Sequence, residues 1–176
     1  GFVLEAMCDT DGAMGEYREV LRIGEGTEHL SEIKIAGERL KRLEALEHMN
    51  RGKELFNKRS YEEALSEFNI SISMDPDNTT AHFLSGLIYK DLGKPKETLD
   101  AFKRVIELQP RNVVAHFLIG DVYFRFGSYK EAIEKFNEVL SLAPDSKEGK
   151  EAESLIKKSE DRLILRGYFE EAADAI

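Results

Sequence analysis

Residues 113–144 read VVAHFLIGDVYFRFGSYKEAIEKFNEVLSLAP, and the reading of this stretch decides the fold. In its second half Ala132, Ile133, Phe136, Val139 and Leu140 recur at helical steps, the pattern of a helix buried along one stripe. Gly127 stands between the halves, where a helix ends well in a left-handed cap. Pro144 closes the stretch, because proline lacks the donor that a continuing helix needs. The stretch therefore reads as a helix, a turn and a second helix.

The pattern returns on both sides at a fixed period. Pro76, Pro110 and Pro144 are spaced by 34 residues, and so are Gly52, Gly86 and Gly120. Phe68, Phe102 and Phe136 keep the same offset, as do His48, His82 and His116, and Leu55, Tyr89 and Tyr123. A shared period across five columns marks a repeat architecture. The spacing predicts first helices over Ala45–Lys58, Thr79–Leu92 and Val113–Phe126. Second helices are predicted over Tyr61–Met74, Pro95–Leu108 and Tyr129–Leu142. Asn78, Asn112 and Ser146 stand where the next helix wants an N-cap, and Asp75-Pro76-Asp77-Asn78 is a turn.

Gly52, Gly86 and Gly120 lie inside predicted helices, where Gly costs about 1 kcal/mol relative to Ala. Close approach of the paired helix is the expected reason, with Ala64 and Ala132 as the matching small surface and Thr98 a slight departure. Phe68, Phe102 and Phe136 are expected to fill the space between one repeat and the next.

These columns resemble the tetratricopeptide repeat (TPR) family, a helix-turn-helix repeat with small, aromatic and Pro signatures. The resemblance covers about residues 45–144, as repeats 45–78, 79–112 and 113–146, and His48, His82 and His116 stand where the family often has Trp. It implies an all-α fold of antiparallel helix pairs wound into a right-handed superhelical solenoid. Both ends look like damaged repeats. Residues 1–26 carry a second-helix pattern at Ala13, Tyr17, Val20, Leu21 and Ile23, with Phe2–Cys8 as the tail of its first helix. Residues 27–46 form an extra amphipathic stretch that could fuse with the helix after it, and 146–165 a helix that caps the last repeat. Gly167-Tyr168-Phe169-Glu170-Glu171-Ala172 repeats the spacing of Gly127-Ser128-Tyr129-Lys130-Glu131-Ala132, so 166–176 reads as the start of a further repeat. The expectation is a piece of a longer array, or an array with degenerate ends.

Composition narrows the function. Apolar residues are 41% and charged residues 34%, enough apolar content for a packed core. The net charge of −9 disfavours nucleic acid, including RNA read by helical repeats. No apolar run approaches the roughly 20 residues of a membrane span, and no signal-peptide pattern opens the chain, so a cytoplasmic protein is expected. The single cysteine, Cys8, has acidic neighbours Asp9 and Asp11 that oppose thiolate formation. Phosphate-loop, zinc-protease, paired-cysteine and nucleophile-elbow motifs are absent, so neither an enzyme nor a cofactor is expected. Equivalent histidines of stacked repeats lie roughly 8–10 Å apart, too far to share one metal ion, so the His column reads as ring packing.

The resemblance implies that first helices line a concave, ligand-binding face. Its rows here are Met49, Phe83, Phe117; Lys53, Leu87, Asp121; and Phe56, Lys90, Phe124, with Leu84 and Leu118 alongside. Such an apolar face points to a protein or peptide partner, apolar or amphipathic, with Lys53 and Lys90 steering its acidic residues. The family's carboxylate clamp for Hsp70 and Hsp90 tails needs Lys, Asn and Arg where this chain has Met49, Lys53, Leu84, Val114 and Leu118, so that mode is not expected. Two alternatives stand beside the scaffold: self-association through terminal half-repeats, and a regulatory segment of a larger protein.

Overall fold

The computed structural model describes residues 9–24 and 30–174, with the side chains of 168–174 outside the description. Among the described residues there are eight helices and no strand. They are α1 (Thr10–Gly24), α2 (Leu30–Asn57), α3 (Tyr61–Met74), α4 (Thr79–Asp91), α5 (Pro95–Leu108), α6 (Val113–Arg125), α7 (Tyr129–Leu142) and α8 (Lys147–Asp174). The second helices α3, α5 and α7 span the ranges read from their apolar spacing. The proposed helix tail at Phe2–Cys8, and Gly26 to His29, lie outside the described residues. The chain divides into two compact units, one through Leu84 and one from Ser85.

In the first unit, α2 is one helix of 28 residues. The extra stretch and the first helix of the following repeat are continuous. Its N-terminal half pairs antiparallel with α1, burying Ala13, Met14 and Tyr17 against Ala36 and Leu40. Its C-terminal half pairs with α3, where the Ser71 hydroxyl donates to the Ala45 carbonyl at 2.7 Å. The two halves thus bury nearly opposite faces of one helix.

The second unit centres on α7. Ala132, Phe136 and Val139 are fully buried together with Ala152 of α8. Val113, Phe117, Tyr123 and Phe124 of α6 close over them from one side, and Leu155 and Ile156 of α8 from the other. The helix break expected near Gly167 is not found, because α8 runs unbroken from Lys147 to Asp174. Tyr168 and Phe169 follow Gly167 with no Pro or capping residue, and one Gly costs a helix only about 1 kcal/mol. Gly149 near its start is there for space. A Cβ on it would come 2.4 Å from the Ala143 carbonyl oxygen and 2.5 Å from that of Pro144.

The phenylalanine column adds a contact that the sequence reading did not name. Each ring of Phe68, Phe102 and Phe136 lies on the glycine of its own repeat, and Phe136 also packs toward Ala152 of the following helix, as expected of a residue between repeats. A Cβ would stand 2.5 Å from Phe68 at Gly52, 2.8 Å from Phe102 at Gly86 and 2.6 Å from Phe136 at Gly120. All three rings are fully buried. The helical glycines are therefore the floor of an aromatic socket, closed by the ring rather than by Ala64, Thr98 or Ala132.

Candidate functional site

The turns fix where the first helices start and which way they face. Asn78 Oδ1 accepts from the Ala81 N–H at 3.1 Å, and Asn112 Oδ1 from the Ala115 N–H at 3.0 Å. Ser146 Oγ accepts from the Gly149 N–H at 2.9 Å, so all three expected N-caps are made. A second bond repeats beside the first two. His82 Nε2 lies 3.0 Å from the Pro76 carbonyl and His116 Nε2 2.9 Å from that of Pro110. A ring N–H donates across the turn in both cases, which ties each first helix to the Pro turn that leads into it.

The histidines of the column have separate polar partners. His48 Nδ1 is 2.7 Å from Glu67 Oε2. His116 Nδ1 lies 2.6 Å from Glu138 Oε2, off the line of a good hydrogen bond. Among the described residues, no group of three His, Cys, Asp or Glu side chains could hold a metal ion.

The far ends of the first helices are fixed by left-handed caps. Gly93 has φ of 67° and Gly127 of 75°, and Arg59 takes the same place with φ of 61°. Ser128 N–H reaches Tyr123 O at 2.9 Å, and Ser60 N–H reaches Leu55 O at 3.0 Å, the same closing bond. Sequence reasoning missed Arg59, although it stands in the column of the two glycines.

The proposed ligand-facing residues fall within the two units as follows. In the first unit Met49, Lys53 and Phe56 stand one turn apart on α2, and Phe83 is on α4. Met49 is only 9% exposed, Phe56 and Phe83 are half-buried, and Lys53 is exposed. Phe56 leans on Tyr61, ring centres 6.1 Å apart. In the second unit Leu87 and Lys90 end α4, and Phe117, Asp121 and Phe124 line α6, all half-buried. Phe117 packs on Phe136 at 5.7 Å and Phe124 on Tyr129 at 5.8 Å. Asp121 is engaged by the Arg125 Nε at 2.9 Å to both oxygens.

These faces are less open than an apolar patch left to solvent. Phe56, Phe117 and Phe124 each pack against a ring of the neighbouring helix and stay partly exposed. Leu118, placed alongside, is 9% exposed and belongs to the core. A cleft of ≈ 510 Å³ that the sequence did not suggest lies in the second unit, between Gly127–Glu131 and the Leu163, Arg166 and Gly167 stretch of α8.

The repeated pair of antiparallel helices, capped and socketed alike, defines a helical-repeat protein. The family model for the tetratricopeptide repeat matches residues 86–147. Solved structures share the fold over most of the chain. The P58(IPK) TPR domain is 30% identical, covering 74% of this chain and 36% of that one, with a TM-score of 0.68. The first TPR of Spaghetti (RPAP3), bound to the HSP90 peptide SRMEEVD, is 22% identical over 70% of this chain and 95% of that one, with a TM-score of 0.62. The TPR2B domain of yeast Sti1, in complex with pHsp70, is 19% identical over 68% and 98%, with a TM-score of 0.60. No curated protein matches the sequence. Residues 86–147 are thus of tetratricopeptide-repeat type, and the chain has the all-α helical-repeat superhelix fold. Its fold is that of a protein–protein interaction scaffold. Among the described residues, no helix is long and apolar enough to cross a membrane.

Proposed function

We propose that the chain is a non-catalytic scaffold whose first helices hold an apolar or amphipathic segment of a partner protein. The observation that carries this reading is the state of the first-helix phenylalanines. Phe83 in the first unit and Phe117 and Phe124 in the second stay half-buried although the helix pairs beside them are closed. Burying the remainder of one such ring against a partner contributes about 1.5–3 kcal/mol at most. Lys53 and Lys90 stand on the same helices and suit acidic residues flanking the apolar ones. The neighbours bound to HSP90 and Hsp70 peptides do not carry that ligand over. Met49, Leu84, Val114 and Leu118 are apolar where a carboxylate clamp needs polar and basic groups.

The test is capture of a partner by the wild type against Phe83→Ser/Phe117→Ser, with thermal unfolding measured on both. Phe117 also touches Phe136, so Val114→Asp is made in parallel; that side chain is 39% exposed and probes the α6 face with little packing cost. Loss of capture with retained folding upholds the scaffold. Capture undiminished by either variant removes it. Self-association is a second reading, supported by the exposure of Ile23 near one end and of Ile164 and Leu165 near the other. Sedimentation over a range of concentrations decides it, and a strict monomer removes it.

A further inference from the structure

The face of α2 that neither α1 nor α3 covers carries a pattern of its own. Ile35, Arg39, Arg42, Leu46 and Lys53 follow one another at steps of four, three, four and seven residues. Those steps complete five turns at 3.6 residues each, so the five residues make one straight line about 27 Å long. The packing of α1 uses Ala36, Leu40 and Leu43, on another side of the helix. Ile35 is 53% exposed and Leu46 40%, and Arg42 and Lys53 are exposed. Met49 falls on the same line but turns into the core at 9% exposure. A small cleft of ≈ 290 Å³ opens at its start, lined by Ile35, Glu38, Arg39 and Arg42.

Charge singles this line out. In a chain of net charge −9, the stretch from Lys34 to Arg42 holds Lys34, Arg39, Lys41 and Arg42 against one acid, Glu38. That acid lies 4.0 Å from Lys34, at the edge of the line. The line itself contains no carboxylate. Arg51 is not part of it; it pairs with Glu47 on another side, and that hydrogen bond holds its guanidinium above the ordinary value.

We propose that this α2 line is a docking strip for an acidic amphipathic helix of a partner protein. Apolar side chains of the partner would seat on Ile35 and Leu46, and its carboxylates opposite Arg42 and Lys53. Alternation of apolar and basic residues at helical steps is complementary to a helix with Leu and Glu at three- and four-residue steps. A second copy of this chain fits less well, because its own surface carries the net negative charge on many helices rather than along one apolar stripe. The proposal extends the scaffold reading above, yet it stands on residues of the first unit that the Phe83→Ser/Phe117→Ser test leaves intact.

The probe is a labelled synthetic helix of about 18 residues, five turns long, with Leu and Glu along one face, beside a twin in which Lys replaces Glu. Fluorescence anisotropy measures binding to the whole chain. The Glu helix binds the wild type, and binding weakens as salt rises. Arg42→Glu/Lys53→Glu weakens it at least tenfold and gains the Lys twin, while the thermal melt stays put. Ile35→Ser/Leu46→Ser weakens both helices and provides a second route should the charge reversal disturb folding. Absence of Glu-helix binding to the wild type overturns the proposal. So does tighter binding of a uridine oligonucleotide than of the Glu helix, or a concentration-dependent dimer that Ile35→Ser/Leu46→Ser abolishes. Binding lost in Phe83→Ser but untouched by the α2 variants overturns the strip and leaves the first-helix reading standing. Binding kept in Phe83→Ser but lost in Ile35→Ser/Leu46→Ser, which the first-helix reading does not use, keeps the strip and removes that reading.

Discussion

The ring of Phe136 rests where a Cβ of residue 120 would be, 2.6 Å away. On helix propensity alone, Gly120→Ala gains about 1 kcal/mol. The ring is fully buried and has no room to retreat, so overpacking at about 1–3 kcal/mol wins. Denaturant unfolding of Gly120→Ala is expected to show a net loss, and a stabilised variant sinks the socket. From the ring side, Phe102→Ala empties the socket over Gly86 and costs about 3–5 kcal/mol; a loss under about 1 kcal/mol contradicts its placement. Arg59 works in the other direction. It holds φ of 61° with a full side chain, a conformation that costs a non-glycine residue about 1–2 kcal/mol. Arg59→Gly is expected to raise the melting temperature by about 2–4 °C, and an unchanged or lower value says that the left-handed cap is unstrained. The glycine column and the phenylalanine column were both legible in the sequence. Their contact was not, because a period shows which residues are equivalent and is silent on which equivalents touch. Arg59 escaped for a related reason: Asn57-Lys58-Arg59-Ser60 contains no glycine to announce the cap.

Elements show the same division. The short helices α3, α5 and α7 each bury one stripe, and one stripe fixes a helix's span from sequence. The long helix α2 buries Ala36 and Leu40 toward α1 but Ala45, Met49 and Gly52 on a nearly opposite side. Two stripes out of phase read as two elements, so the sequence leaves open whether the extra stretch fuses with the helix after it, and the structure makes them one. At α8 the misleading signal was local, a Gly-aromatic spacing copied without the Ser that follows Gly127. The start of α8 carries a firmer constraint. A Cβ at Gly149 meets backbone oxygens of Ala143 and Pro144, which cannot rotate away as a side chain can. Gly149→Ala is therefore expected to shift the first turns of α8 off α7. Hydrogen exchange should lose protection across Lys147–Ser159 first, with the Ala132–Val139 region of α7 following to a lesser degree. Uniform protection in the variant excludes that role for Gly149.

At the scale of the whole molecule, charge decides between ligand classes. A net charge of −9 sets a repulsive field for phosphate backbones, and the positive exceptions are short, residues 51–59 around the end of α2 and 34–42 earlier on it. Four basic residues in the earlier stretch, with Glu32, Glu38 and Glu44 close by in sequence, are a small footprint for a nucleic acid. Single-strand binding also relies on aromatic rings on which bases stack, at about 1–3 kcal/mol per base. The exposed α2 line offers Ile35 and Leu46 instead, which suit aliphatic side chains of a protein. On α6, Phe117 and Phe124 lie beside Asp121, and the one Lys or Arg of that helix, Arg125, is already spent on that carboxylate. On α2 the one phenylalanine, Phe56, leans on Tyr61 at the end of the helix, away from Arg39 and Arg42, and a nucleic-acid platform needs rings and cations interleaved. An electrophoretic shift assay with single-stranded RNA is expected to show no complex even at low salt, where such contacts are strongest. A complex that weakens steeply with salt, at a slope of about −0.7 per phosphate contacted, reverses the assignment of ligand class for this chain.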